Sequence, residues 1–128
     1  MAFQYSVAVR NAALDSRETT IGTSAVLKIF SGAEPANCAA ADPSGLLCTI
    51  TLPSDWLAAA SGGTKAKSGT WSGTASGAGT AASWRIYASD GTTCGMQGNT
   101  TDMTFDNTNI ASGQTVTVNT FTLTAGNS

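Results

Sequence analysis

The stretch Thr80 to Gly98, TAASWRIYASDGTTCGMQG, constrains this chain more than any other. Ala82, Trp84, Ile86 and Ala88 alternate with Ala81, Ser83, Arg85 and Tyr87. A period of two sets one group on a core face and the other on the outer face of a β-strand. Asp90-Gly91 then signals a reversal, because glycine accepts the positive φ that hairpin turns require. A second strand returns through Cys94 and Met96. A chain whose clearest local signal is an antiparallel hairpin with a large inward aromatic belongs with the all-β proteins.

The remaining sequence repeats this pattern in weaker form. In Ser24–Ser31, Ala25, Leu27 and Ile29 share one face while Val26, Lys28 and Phe30 share the other, which predicts a central or covered strand. Leu46–Leu52 places Leu46, Cys48, Ile50 and Leu52 inward, and Pro53 ends the strand because it lacks a ladder N–H. Ser54 to Ala60 reads as one helical turn capped by Ser54, and Ser61 to Ser68 as a loop carrying Lys65 and Lys67. A weak strand is expected around Trp71, and a short one with Met103 and Phe105 inward. The last strand, Gln114–Ala125, changes parity midway, from Val116 and Val118 to Phe121 and Leu123. A pleated strand that switches parity flips its buried face, so a bulge or bend is expected near Asn119-Thr120. Seven or eight such strands, with turns at regular spacing, predict an antiparallel β-sandwich or jelly-roll-like domain over residues 23–128.

Residues 1–22 form a separate N-terminal element. Phe3, Tyr5, Val7 and Val9 alternate like a strand. From Ser6 onward, however, a capping serine, the alanines at 8, 12 and 13, and Gly22 as a stop favour a short helix over roughly 7–20, with an extended arm before it. Arg10, Asp15, Arg17 and Glu18 then lie on its polar, solvated side.

The sequence offers little chemistry. It contains no histidine, so Ser-His-Asp and Cys-His catalytic arrangements are excluded. Gly77-Ala78-Gly79 leads into a strand rather than a helix, so it does not cradle phosphate. Asp102 and Asp106 on one extended strand stand about 13 Å apart, too far for a glycosidase pair at about 5–9.5 Å. Asp102, Asp106, Asn107 and Asn109 could offer oxygen atoms to calcium, but turn capping explains the same residues, and no cofactor or metal is expected. The three cysteines, Cys38, Cys48 and Cys94, read as free thiols, with a Cys38–Cys48 bridge across the loop left open.

A net charge of −2, with only six scattered basic residues, argues against nucleic acid as a partner. No apolar run reaches membrane-spanning length, and no signal peptide is evident, so folding in a cytoplasm is expected. Only 11% of residues are charged. An exterior of Thr, Ser, Asn and Ala suits either contact with other subunits or a plain small β-protein. Tyr87 and Arg85 share the outer face of their strand, either as an exposed interface anchor or beneath the N-terminal helix. Trp56 and Trp71 fall in loops, where exposure would suit contact with a host surface.

The segments RNAALDSRETTIGTSAVLKIFSGAEP, GLLCTITL, SWRIYASDGTT and DMTFDNTNIASGQTVTVNTFTLTAGN resemble a group of small virion structural proteins of tailed bacteriophages. Leu27–Pro35, Trp84–Thr92 and Ile110–Gly126 are the most recognisable pieces. The resemblance implies a head decoration, or cement, protein that is not an enzyme. It would be made in the host cytoplasm and placed on the phage head surface, where it binds the major capsid protein as a homo-oligomer, with a trimer favoured. A tail- or fibre-associated virion module that contacts the host surface is the alternative. The matched motifs define strands and turns and carry no functional residues. The candidate interface therefore comes from the residues themselves: Phe3, Tyr5, Arg10 and Arg17 on the N-terminal element, with Arg85 and Tyr87 on the sheet.

Overall fold

The structure, a computed structural model, describes residues 4–125. Helix α1 (Val7–Ile21) precedes ten strands: β1 (Val26–Phe30), β2 (Leu46–Thr51), β3 (Thr64–Ala66), β4 (Ser72–Thr74), β5 (Gly79–Thr80), β6 (Ser83–Tyr87), β7 (Cys94–Asn99), β8 (Met103–Phe105), β9 (Asn109–Ile110) and β10 (Thr115–Thr124). The fold is mostly β, and every strand pairing is antiparallel.

The hairpin expected at Asp90-Gly91 is present as β6 and β7. Gly91, at φ 73°, closes its turn with a hydrogen bond from its N–H to Ala88 O. Asp90 accepts from the Thr92 and Thr93 amides and the Thr93 hydroxyl. These bonds hold its carboxyl down to about 2. The hairpin lies in a four-stranded sheet of order β2-β1-β6-β7. The central position expected for Ser24–Ser31 is observed, since β1 sits between β2 and β6. In β2 the expected face is off by one residue at its start. The β1–β2 register shifts between Ile29 and Phe30, so Leu47 and Cys48 are both buried and Leu46 is 42% exposed. A bulge admits two consecutive residues opposite one partner, and alternation alone does not reveal it.

The bulge expected in the last strand lies where parity demanded it, with the β10–β8 register shifting between Val118 and Thr120. On either side of it, β10 pairs with β4 through Thr115–Thr117 and with β3 through Thr122–Thr124. Strand β10 is thus the spine of a second sheet, flanked by β3 and β4 and by β8. The helical turn expected at Ser54–Ala60 is absent. Leu57 bridges Lys67, Ser61 bridges Thr64, and Gly62-Gly63 turn the chain at φ 60° and 78°. Two consecutive left-handed residues make a type I′ turn, so a hairpin forms despite the helix propensity of Ala58–Ala60.

One apolar cluster joins the two sheets. Trp84 from β6 meets Phe121 from β10 edge-on at 5.3 Å. Phe121 meets Trp71 at 5.6 Å, and Trp71 meets Trp56 at 6.0 Å. Trp56 and Trp71 are fully buried, which corrects the expectation of loop tryptophans open to a host surface. Each indole N–H donates to a backbone carbonyl, Trp56 Nε1 to Gly22 O and Trp71 Nε1 to Ser68 O, so burial leaves no polar atom stranded.

Candidate functional site

Helix α1 begins where expected. The Ser6 side chain accepts from Val9 N, and Gly22 ends the helix at φ 97° with its N–H bonded to Glu18 O. Three helical polar residues, at spacings of four and three, turn toward the 57–67 hairpin. Asn11 accepts from the Gly63 amide at 2.9 Å, Asp15 from the Ala60 amide at 3.2 Å and Glu18 from the Leu57 amide at 3.2 Å. Between them Lys65, only 2% exposed, places Nζ 2.6 Å from Asp15 Oδ1 and 2.9 Å from Glu18 Oε1. Asp15 and Glu18 are therefore not simply a solvated face. They clamp a buried cation.

The bond from Lys65, aided by the Ala60 amide, holds the Asp15 carboxyl below its ordinary value. Burial alone would lower the Lys65 ammonium, but its bonds to Asp15 and Glu18 reverse that and hold it above its ordinary value. Leu14 and Ile21 are the buried apolar residues of the helix. Ile21 lies so close over edge strand β7 that a Cβ on Gly95 would come within 2.5 Å of its Cγ1.

The expected interface residues divide into three groups. Phe3 lies outside the described residues. Tyr5 is 45% exposed at the start of the helix. Arg10 and Arg17 share a side of α1, but Arg10 is drawn inward, its Nε donating to Ala125 O at 3.1 Å. Arg17 stays exposed beside an open groove of about 990 Å³, walled by α1, β7 and the end of β10, with Trp84 and Asp102 among its lining residues.

Arg85 and Tyr87 are 2% and 1% exposed, so they do not form a surface anchor, and what covers them is not the helix. The loop between β1 and β2 lies over them instead. Arg85 Nη1 donates to Asp42 Oδ1 at 2.9 Å, Nη2 to Asn37 O at 3.0 Å and Nε to Gln97 Oε1 at 3.2 Å. The Tyr87 hydroxyl also donates to Asp42. Burial, followed by the Asp42 carboxylate, pushes this phenol above its ordinary value. Lys28 sits 4.8 Å from the Tyr87 ring centre and donates to Gly91 O. Gln97 Nε2 reaches Pro35 O. A buried guanidinium needs a partner for each N–H, and the loop over residues 31–45, with no periodicity, gave no sign that it would provide them.

The carboxyls and amides weighed for calcium each hold local structure. Asp102 accepts from Asn99 N, Asp106 from Thr117 N and Asn107 from Asn109 N, while Asn109 accepts from the Thr80 hydroxyl. Among the described residues no group of three or more Cys, Asp or Glu could hold a metal, and no helix is long and apolar enough to cross a membrane.

The surface that remains is the outward side of α1. Ala8, Val9, Ala12, Ala13 and Thr19 are all exposed, and none carries a charge. Tyr5, 45% exposed, lies just before the helix start, and Val9 is 50% exposed; Val7, on the side of Leu14 and Ile21, is exposed only because the helix begins there. Compared with protein-family models, with curated proteins and with solved structures, the chain matches none.

Proposed function

We propose that this chain is a structural protein of a tailed-phage particle, a head decoration protein that binds the major capsid protein and carries no catalytic activity. In this reading its two sheets face each other across the shared aromatic cluster as a β-sandwich of jelly-roll type. The resemblance in the sequence suggests the role, and one structural observation supports it best. Helix α1 turns Asn11, Asp15 and Glu18 toward the 57–67 hairpin, with Asp15 half exposed at the seam, and its opposite side, bordered by Arg17, presents uncharged residues such as Ala8, Val9, Ala12 and Ala13. Water-facing helices ordinarily do the reverse. Ala8, Val9, Ala12 and Ala13 are small enough for a partner backbone to approach closely, and with Tyr5 just before the helix they form a patch that suits burial in an assembly.

With Arg85 and Tyr87 beneath the loop, the contact surface is reduced to the N-terminal element, with Arg17 at its border. A stable contact buries about 1,600 Å² in total, which asks for more than one helix face. A trimer in which neighbouring copies add to the surface meets that need. The tail or fibre alternative loses its motivation with the burial of Trp56 and Trp71.

The test is to locate the chain in a purified particle by cryo-electron microscopy. Many copies on the icosahedral shell, contacting it through α1, are expected. A few copies at the tail would overturn the head assignment, and absence from particles would overturn the virion reading. Ala12→Glu is expected to leave the melting temperature of the isolated protein unchanged and to abolish binding to undecorated heads. Sedimentation at micromolar concentration checks the trimer.

A further inference from the structure

The loop between β1 and β2 is held to the sheet at defined points. Asn37 O receives Arg85, Pro35 O receives Gln97, and Asp42 receives both Arg85 and Tyr87. Asn37 also folds the segment that follows it, its side chain accepting from the Ala39 and Ala40 amides. Cys38 lies inside this turn, one residue from the carbonyl anchored by Arg85. On the sheet below, Cys94 is the cross-strand partner of Tyr87. The loop anchors at Pro35, Asn37 and Asp42 therefore bring both cysteines, each half-buried, to one small patch on the outer face of the sheet, and Cys38 is a neighbour that, after burial, acts on the Cys94 thiol. Cys48 is on the other side of the sheet, fully buried in the apolar core. The pairing left open in the sequence, Cys38 with Cys48, is not the one the fold sets up.

We infer that Cys38 and Cys94 are a thiol pair poised to form a disulfide that fastens the 32–45 loop to edge strand β7. The inference does not depend on the role proposed for the chain. The oxidant is a low-molecular-weight disulfide such as glutathione disulfide. The Cys38 thiolate attacks one oxidant sulfur, breaking its S–S bond and releasing one thiol. A mixed disulfide is left on Cys38. Cys94 then loses its proton, and its thiolate attacks the Cys38 sulfur and expels the second thiol. Two protein thiols are oxidised by two electrons, and one disulfide is reduced to two thiols. Burial and the neighbouring Cys38 push the Cys94 thiol up to about 12. Burial still acts on Cys94 once Cys38 is in the mixed disulfide, so its thiolate is scarce near neutral pH and closure is faster as pH rises.

The experiment uses the full chain equilibrated in glutathione redox buffers, followed by alkylation and peptide mapping without reduction. The expected result is one intramolecular link between the Cys38 and Cys94 peptides, with Cys48 alkylated only after denaturation. The bridge closes a long loop, so oxidation is expected to raise the melting temperature by about 10 °C, and dithiothreitol to reverse it. Cys38→Ser, in a surface loop, is expected to fold and to lose both the link and the shift. Glutathione left on separate cysteines, a link between two molecules, or a link without any thermal shift would each overturn the inference. The wild-type map identifies the partners, so the outcome does not rest on a Cys48 variant that fails to fold.

Discussion

Strands β1 and β6 bury both of their faces by opposite means. On the inner face Leu27, Ile29, Trp84 and Ile86 enter the apolar cluster, where dispersion and exclusion of water act without direction. On the outer face Arg85 and Tyr87 lie under a loop that satisfies their polar atoms, while the half-buried Lys28 donates to Gly91 O in the β6–β7 turn. No buried side-chain nitrogen or oxygen among the described residues lacks a partner. The inner face needs volume and shape, and many residues can supply those. The outer face needs particular acceptors at particular places, so its tolerance of change is far narrower for the area it covers.

The largest effect is expected on the inner face. Phe121 touches Trp71 and Trp84, so Phe121→Ala removes the link between the two sheets. A loss of about 3–5 kcal/mol is expected, a large fraction of the roughly 5–15 kcal/mol that holds a domain of this kind. Urea unfolding measures it, and Phe121→Leu should recover more than half. A loss under about 1 kcal/mol would mean that the sheets are joined elsewhere.

Asp42→Ala tests the outer face. It strands the Arg85 charge and takes the Tyr87 hydroxyl's acceptor at once. About 2 kcal/mol is expected, less than a fully enclosed pair would cost because the Asp42 side chain is 49% exposed. The contrast lies in the rescue. Adding Arg85→Met to Asp42→Ala should restore stability, because the penalty comes from an unpaired charge and not from lost area. No second truncation would rescue Phe121→Ala. Failure of Arg85→Met to rescue would place both faces under the same packing rule. Tyr87→Phe keeps the ring and loses one bond to a carboxylate, with about 1 kcal/mol expected by the same urea assay.

The difference between the faces also explains what could be read in advance. Alternation reports the inner face directly, and it placed Trp84, Ile86, Phe121 and the bulge near Asn119 correctly. It failed at Leu46, where a bulge shifts the register, and the helical turn expected from the Ser54 cap and Ala58–Ala60 gave way to the left-handed Gly62-Gly63 turn. Polar burial leaves no periodic trace. Arg85 and Tyr87 fall on the outer parity just as solvent-facing residues would. Their true neighbours, Asn37 and Asp42, are more than forty positions away in an alanine-rich loop without periodicity. The same limit hid Lys65. A lysine between Thr64 and Ala66 looks like a surface residue until the helix carboxylates that surround it are known.

Lys65 gives the subtlest test, because its seam with α1 is polar like the outer face but joins a helix to a hairpin. Asp15 has its carboxyl lowered on folding, so its contribution is present above the ordinary aspartate value and is lost as pH falls through the lowered one. Lys65 is raised on folding, so its contribution is complete below the ordinary lysine value and is lost as pH climbs through the raised one. The ion pair therefore stabilises across a window from about pH 4 to about pH 10. Lys65→Met keeps most of the buried volume and removes the charge. The difference in melting temperature between wild type and Lys65→Met should be widest inside that window and narrow at both ends. Part of the acid decline should survive in the variant, because Asp90, held down to about 2 by Thr93 and Thr92, titrates independently of the helix. A difference that stays constant with pH would mean that Leu14 and Ile21 hold the helix and that the charges set only where it docks. The seam would then follow the inner face's rule and not the outer one's.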